Sequence, residues 1–202
     1  MKYPYGCRAV VLCALLFTGY GVTTGLAHSP FDCSSRMVAQ ADRIELTTTM
    51  GLGGSKQFLL NAGLSPEAAA EALRTRAPYL HHDLPATVAG RLFEVKSGLG
   101  ALITTNINCL SDGVEVVFKA TYARPPTGTL EFRALYFNGV EQMKHGSFVA
   151  TDERGHQLGA ALLSRADTVV QIPLPAMTPT NATIRVLTAE TQPPSTGNLP
   201  PK

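Results

Sequence analysis

The residues of this sequence best suited to chemistry are its five histidines. They are His28, His81, His82, His145 and His156. Cleavage of the chain after Ala27 would make His28 the first residue, which then offers a metal both an α-amine and an imidazole. His81 and His82 lie in an irregular stretch, and a loop can bring both rings into one ligand set. Such a nitrogen-rich site suits Cu(II) or Ni(II).

The alternative interpretation is that the histidines are ordinary surface residues and that no cofactor binds. Nothing in the sequence itself brings residue 28 close to residue 81. His145 and His156 flank a predicted hairpin, so they too could lie near one another.

The cysteines divide into two pairs. Cys7 and Cys13 fall in the predicted leader, which leaves Cys33 and Cys109. An oxidising compartment favours a disulfide between these two. The two residues are 76 positions apart in the sequence. Closing a loop of that length would stabilise the fold by roughly 4 kcal/mol on the chain-entropy model. The alternative is two buried free thiols. No Cys-x-x-Cys pattern is present, which disfavours zinc ribbons and thioredoxin-type redox chemistry.

No motif for catalysis stands out. The run GLGGSK at residues 51–56 resembles a phosphate loop but lacks the Walker spacing, and it is interpreted as a turn that ends a strand. Gly146-Ser147 lacks the flanking pattern of a nucleophile elbow, and the acidic residues are scattered. The sequence therefore favours a non-enzymatic protein, with an enzyme of unrecognised site as an alternative.

Residues 1–27 have the pattern of a secretory signal peptide. Lys2 and Arg8 precede an unbroken apolar run at residues 9–17, and Gly25 and Ala27 place small residues at the two positions that a signal peptidase reads. The run is shorter than the roughly 20 apolar residues that a membrane-spanning helix needs. We predict cleavage after Ala27, periplasmic or secreted localisation, and no membrane span in the mature chain. A permanent N-terminal anchor is the alternative.

Charge excludes two classes of partner. The chain has 17 basic and 15 acidic residues, and Lys2 and Arg8 carry the excess, so residues 28–202 hold 15 of each. A chain with equal numbers of basic and acidic residues lacks the excess positive charge that is typical of proteins that bind nucleic acid or an anionic bilayer.

The secondary-structure elements that position these residues are predicted to be mainly β-strands. Apolar and polar residues alternate over residues 36–50, 91–95, 99–108, 114–122, 130–137, 147–151, 157–163, 168–174 and 183–188. The turn residues between them favour an antiparallel β-sandwich, immunoglobulin-like or related. Phe118, Tyr122, Phe132, Tyr136 and Phe148 are the expected bulky core residues.

One helical insertion interrupts the strands near residues 55–77. Ser65, Pro66 and Glu67 supply an N-cap, a first-turn proline and an early acid before an alanine-rich run. Residues 77–90 are predicted to be irregular. The chain is thus predicted to comprise a signal peptide at 1–27, one β-rich domain at 28–188 and a disordered proline-rich tail at 189–202.

The layout resembles that of an exported bacterial domain. The segments RMVAQADRIELTTTMG, LEFRALYFNGV and DERGHQLGAALLSR, with the Ala-His junction, are similar to the N-terminal domain that precedes the membrane section of HupE/UreJ-type permease-like proteins, and to free-standing relatives. In that family the membrane section is linked with nickel or a similar metal. The resemblance covers about residues 27–175, includes no membrane section, and implies at most a metal-related or accessory role, with His28 at the mature terminus.

Three functions follow from these observations. The first is an exported binding or accessory domain of the bacterial envelope that acts on a protein partner or an envelope component. It predicts an exposed apolar or aromatic patch, or an unpaired strand edge, and no metal. The second is a periplasmic Cu(II)- or Ni(II)-binding protein that uses His28 with His81 or His82. The third is an enzyme with convergent polar groups in one pocket.

Overall fold

The computed structural model describes residues 30–75 and 81–176, which fold into two β-sheets over a shared core. The larger sheet has seven strands in the order β10-β9-β1-β2-β7-β6-β3. Its strands in chain order are β1 (Cys33–Ala39), β2 (Arg43–Gly51), β3 (His82–Asp83), β6 (Thr104–Ser111), β7 (Glu115–Ala123), β9 (His145–Asp152) and β10 (Gln157–Ser164).

The smaller sheet has four strands in the order β11-β8-β4-β5. These are β4 (Phe93–Ser97), β5 (Gly100–Ala101), β8 (Gly128–Ala134) and β11 (Val169–Leu174). The mainly β, sandwich-like fold with short helices confirms the predicted fold class. One strand pair departs from an antiparallel arrangement, since β1 and β9 run parallel.

In the described part of the chain, four short helices lie among the strands: α1 (Leu52–Asn61), α2 (Pro66–Ala72), α3 (Ala86–Leu92) and α4 (Tyr136–Gly139). Helix α2 begins as predicted, because the hydroxyl of Ser65 accepts a hydrogen bond from the N–H of Ala68 at 3.2 Å and Pro66 occupies the first turn. Helix α3 lies where irregular chain was predicted. It buries Val88, Ala89 and Leu92 and packs against β4 and β6, so tertiary contact outweighs a weak local pattern.

The prediction of one strand over residues 36–50 is wrong, because this stretch belongs to the hairpin β1–β2. The N–H of Gln40 donates to the carbonyl of Arg43 at the turn. Both Met37 and Leu46 are fully buried, although an odd spacing would place them on opposite faces of one straight strand. A turn between them returns both side chains to the same face.

Two other predicted strands also differ from those of the structure. The strand predicted over residues 130–137 stops at Ala134, and Tyr136 begins α4. The strand predicted over residues 99–108 is divided between β5 and β6. The predicted strand at 183–188, the tail at 189–202 and the leader at 1–27 lie outside the described residues.

The core between the sheets is aromatic. All five predicted bulky core residues are buried, at 2% exposure or less. The ring centroids of Phe132 and Phe148 lie 5.1 Å apart, and Phe93 meets Tyr136 edge-on at 5.5 Å. Such pairs contribute about 0.5–1.5 kcal/mol each beyond the area that they bury.

The predicted Cys33–Cys109 disulfide is absent, because both side chains are buried free thiols. Cys33 lies in β1 and Cys109 in β6, and β2 and β7 lie between them. Three strand spacings separate the residues by about 14 Å, since strands lie roughly 4.8 Å apart. The Cα atoms of a disulfide are usually no more than about 7 Å apart.

Candidate functional site

Of the predicted metal ligands, the structure describes His81 and His82, and neither belongs to a group of described residues that could hold a metal ion. His82 pairs with Cys109 in the short strand β3 and is half-buried, whereas His81 precedes this strand and is exposed. His28 and Ala27 lie outside the described residues. Within residues 30–75 and 81–176, no three His, Cys, Asp or Glu side chains are grouped to hold a metal ion.

His145 and His156 do not come together, which corrects the prediction that they could. His145 pairs with Ser164 at one end of the β9–β10 hairpin, whereas His156 precedes Gln157 at the other end. The ring Nδ1 of His156 lies 2.9 Å from the Asp152 carboxylate. Desolvation tends to raise the pKa of Asp152, but hydrogen bonds from the His156 ring and from two backbone N–H groups outweigh it and lower this pKa. Both residues therefore close the turn.

The glycine-rich run opens a helix instead of forming a strand-ending turn. Strand β2 ends at Gly51, and α1 begins at the next residue. Within α1, the N–H of Leu52 donates to the carbonyl of Val114 at 2.9 Å, and that of Gly54 donates to the carbonyl of Pro30 at 3.0 Å. Two of the donors that a phosphate loop would offer are thus occupied by backbone carbonyls.

A buried polar cluster surrounds Cys33. Ser35 and Thr48 face each other across β1 and β2, with their hydroxyl oxygens 3.2 Å apart. Burial raises the pKa of the Cys33 thiol to about 12 and also raises the pKa of the Tyr136 hydroxyl. Among the described residues, this hydroxyl has no partner in hydrogen-bonding geometry. A neutral, buried thiol is a poor nucleophile, so the cluster is structural.

A polar cleft of about 460 Å³ lies between α1, α4 and the end of α3. Buried Phe58 and Tyr136 form its apolar floor. Polar side chains from three parts of the chain form its wall: Gln57, Asn61, Arg91, Asn138 and Glu141. A cavity of that volume lies within the range of about 300–1,000 Å³ for small-molecule sites.

A second surface is apolar and lies at the tip of the small sheet. Leu99 in the β4–β5 turn is 88% exposed, and Ile103, between β5 and β6, is 83% exposed. Leu102 between them is partly buried against the core. We call Leu99, Leu102 and Ile103 the apolar tip. Beside it, a groove of about 300 Å³ runs along α3 and is lined by Ala86, Ala89, Phe93 and Leu135 together with Leu102 and Ile103.

The apolar tip is held by its own turn. The hydroxyl of Ser97 accepts a hydrogen bond from the N–H of Leu99 at 3.2 Å and donates to the carbonyl of Gly100 at 3.4 Å. The N–H of Leu102 donates to the carbonyl of Val95 at 2.8 Å. Leu99 therefore lies on an ordered turn, so less conformational entropy is lost when a partner binds.

Neither site was among the residues that sequence reasoning selected. The wall of the cleft joins residues 57–61, 91 and 138–141, which only the fold brings together. The apolar tip had a signal in the sequence, because residues 97–111 contain no charged side chain. That signal was interpreted as strand, and its exposed apolar residues were therefore missed.

The fold and the two surfaces define a sandwich-like β protein with a polar cleft and an exposed apolar tip. Neither the protein-family models nor the curated proteins with which the sequence was compared give a match. In the part of the chain that the structure describes, every helix is too short or too polar to cross a bilayer.

Proposed function

We propose that the protein is an exported, non-enzymatic binding domain of the bacterial envelope that holds a protein partner through the apolar tip. The observation that carries this proposal is the exposure of Leu99 and Ile103, two large apolar side chains on either side of β5, with Leu99 on an ordered turn. Exposed apolar groups grouped in this way mark interaction sites in soluble proteins, whereas scattered single ones do not.

The surroundings of the apolar tip favour a protein partner. The groove beside α3 offers a concave apolar surface into which a partner side chain can insert, which is the arrangement of an interaction hot spot. The nearest charged residues in β4, Glu94 and Lys96, pair with each other at 3.0 Å and form a polar rim. An apolar centre with a polar rim is the usual anatomy of a protein interface.

Export is the second part of the proposal, and residues 1–27 support it. Their basic start, short apolar run and Ala27 follow the pattern of a cleaved secretory signal. The balanced charge of residues 28–202 suits a partner that is recognised by apolar contact more than by electrostatic attraction.

The test is site-specific photo-crosslinking in the bacterium that makes the protein. A benzoylphenylalanine residue replaces Leu99 in one strain and Leu162 in another. Leu162 is the matched control, because it is also a leucine and is 84% exposed, but lies on β10 at the far edge of the large sheet. We expect a discrete adduct with one protein from position 99 and none with that protein from position 162.

A further variant links the adduct to the apolar tip. Adding Ile103→Ser to the position-99 strain should remove the adduct while leaving stability within about 0.5 kcal/mol, because the side chain is exposed. Equal adducts from positions 99 and 162, or an adduct that survives Ile103→Ser, would contradict the proposed partner surface. The intact mass of the recovered protein tests export, since it should correspond to a chain that begins at His28.

A further inference from the structure

We infer that the polar cleft is a separate binding site for a small zwitterionic molecule of the amino acid or short peptide class. The cleft adjoins the apolar groove at Leu135, which lines both cavities, but none of its polar wall residues lines the groove. This inference therefore does not depend on the proposed protein partner.

The charges of the cleft identify the two ends of the ligand. Arg91 and Glu141 both line it and are both exposed. Within residues 30–75 and 81–176, neither side chain makes an ion pair or hydrogen bond, with the other or with any third residue. A carboxylate can accept a forked pair of hydrogen bonds from the guanidinium of Arg91, and an ammonium group can donate to Glu141.

The amides of the cleft suit the middle of such a ligand. Asn61 Nδ2 donates to the carbonyl of Gly139, which links the end of α1 to α4 and fixes the orientation of this amide. Its Oδ1 remains available as an acceptor. Gln57 and Asn138 add two more side-chain amides, each able both to donate and to accept, as a peptide group requires.

The floor of the cleft is already ordered. Phe58 packs edge-on against Phe118 with ring centroids 5.4 Å apart, and Tyr136 packs against Phe137 at 4.4 Å. Because these rings belong to the core, the cavity does not have to form when a ligand arrives. A preformed apolar floor with a few convergent polar groups is typical of small-molecule sites.

The probes are L-alanine, dialanine and trialanine, which differ in the distance between ammonium and carboxylate. Each is titrated into the full chain, and Kd is measured by calorimetry. We expect at least one to bind more tightly than about 1 mM. Blocking its ammonium by acetylation, or its carboxylate as the amide, should each weaken binding about tenfold, because each change removes one charge-assisted hydrogen bond.

Two variants assign the charges. Arg91→Gln should weaken binding of the free probe about tenfold but leave binding of its C-terminal amide unchanged. Glu141→Gln should also weaken binding of the free probe about tenfold, but should leave binding of the acetylated probe unchanged. Arg154→Gln is the matched control, because Arg154 is exposed in the β9–β10 turn, outside the cleft. Binding weaker than about 1 mM for all three probes, or equal binding of free and blocked forms, would overturn the inference.

Discussion

The backbone of Pro30 passes directly over Gly51, where β2 ends and α1 begins. The N–H of Gly51 donates to the carbonyl of Asp32 at 3.1 Å, which draws the two segments together. A Cβ atom at Gly51 would lie 2.5 Å from the carbonyl carbon and oxygen of Pro30. This close approach explains why residue 51 is a glycine, which the sequence pattern had associated with a turn.

Gly51→Ala should therefore destabilise the protein by about 1–3 kcal/mol, the usual cost of forcing extra atoms into a packed region. The neighbouring atoms belong to backbone, so they cannot yield by a change of rotamer. The free energy of unfolding in urea measures the effect.

Gly90→Ala is the control for this substitution. Gly90 lies inside α3, and a Cβ atom there would meet nothing within 4 Å. Alanine at that position should be neutral or should stabilise the helix by up to about 1 kcal/mol. A Gly51→Ala protein as stable as the Gly90→Ala protein would show that the Pro30 segment does not press on Gly51.

At the scale of elements, the alternation of apolar and polar residues predicted the strands with one buried face. Strand β7 buries Val116, Phe118, Ala120 and Tyr122 as expected. The pattern failed where the chain turns without glycine or proline, as it does at residues 40–42 of the β1–β2 hairpin. It failed again at α3, because seven residues carry too little periodicity to mark a helix.

The turn between β6 and β7 depends on the carboxylate of Asp112. This group accepts hydrogen bonds from the N–H groups of Glu115 at 2.7 Å and Val114 at 2.8 Å. These two donors lower the pKa of Asp112. A carboxyl whose pKa is lower in the folded state stabilises the fold above its unfolded pKa of about 3.9 and loses that contribution as the pH falls through the folded value.

Asp112→Asn should consequently lower stability by about 0.5 kcal/mol at pH 7, a modest amount because the carboxylate is exposed. The difference from the natural protein should persist down to about pH 4 and shrink below it. Thermal unfolding from pH 2 to pH 7 measures the change.

Asp167→Asn provides the matched control for Asp112. Asp167 also lies in a turn, but among the described residues its carboxylate accepts no hydrogen bond. Its substitution should leave the pH profile unchanged. A difference at Asp112 that stays constant from pH 7 to pH 2 would mean that the carboxylate is not the stabilising group.

For the molecule as a whole, the order of the strands decides which residues far apart in the sequence lie close in space. That order could not be predicted from the sequence. Arg91, in α3, and Glu141, just after α4, line the same cleft. Cys33 and Cys109 stay apart because β2 and β7 lie between their strands. No local pattern in the sequence distinguishes these two outcomes, since both pairs are widely separated along the chain.

The separation of the cysteines gives a prediction for the native protein. Cys33 and Cys109 should remain thiols after purification from an oxidising compartment without reductant, and iodoacetamide should not modify Cys33 at pH 8. With a pKa of about 12, only roughly 10⁻⁴ of the Cys33 thiol is ionised at that pH, and burial blocks access to it. Mass spectrometry of the two cysteine-containing peptides should show full modification once urea is added.

A cysteine at residue 34 supplies the comparison. Ser34 is adjacent to Cys33 in β1 but points to the exposed face, so Ser34→Cys should be modified rapidly in the folded protein. A mass two hydrogens lower, with Cys33 and Cys109 joined in one peptide pair, would instead show that the strands can rearrange to form the disulfide. In that case the order β1-β2-β7-β6 would not describe the oxidised protein, because a disulfide cannot bridge about 14 Å of sheet.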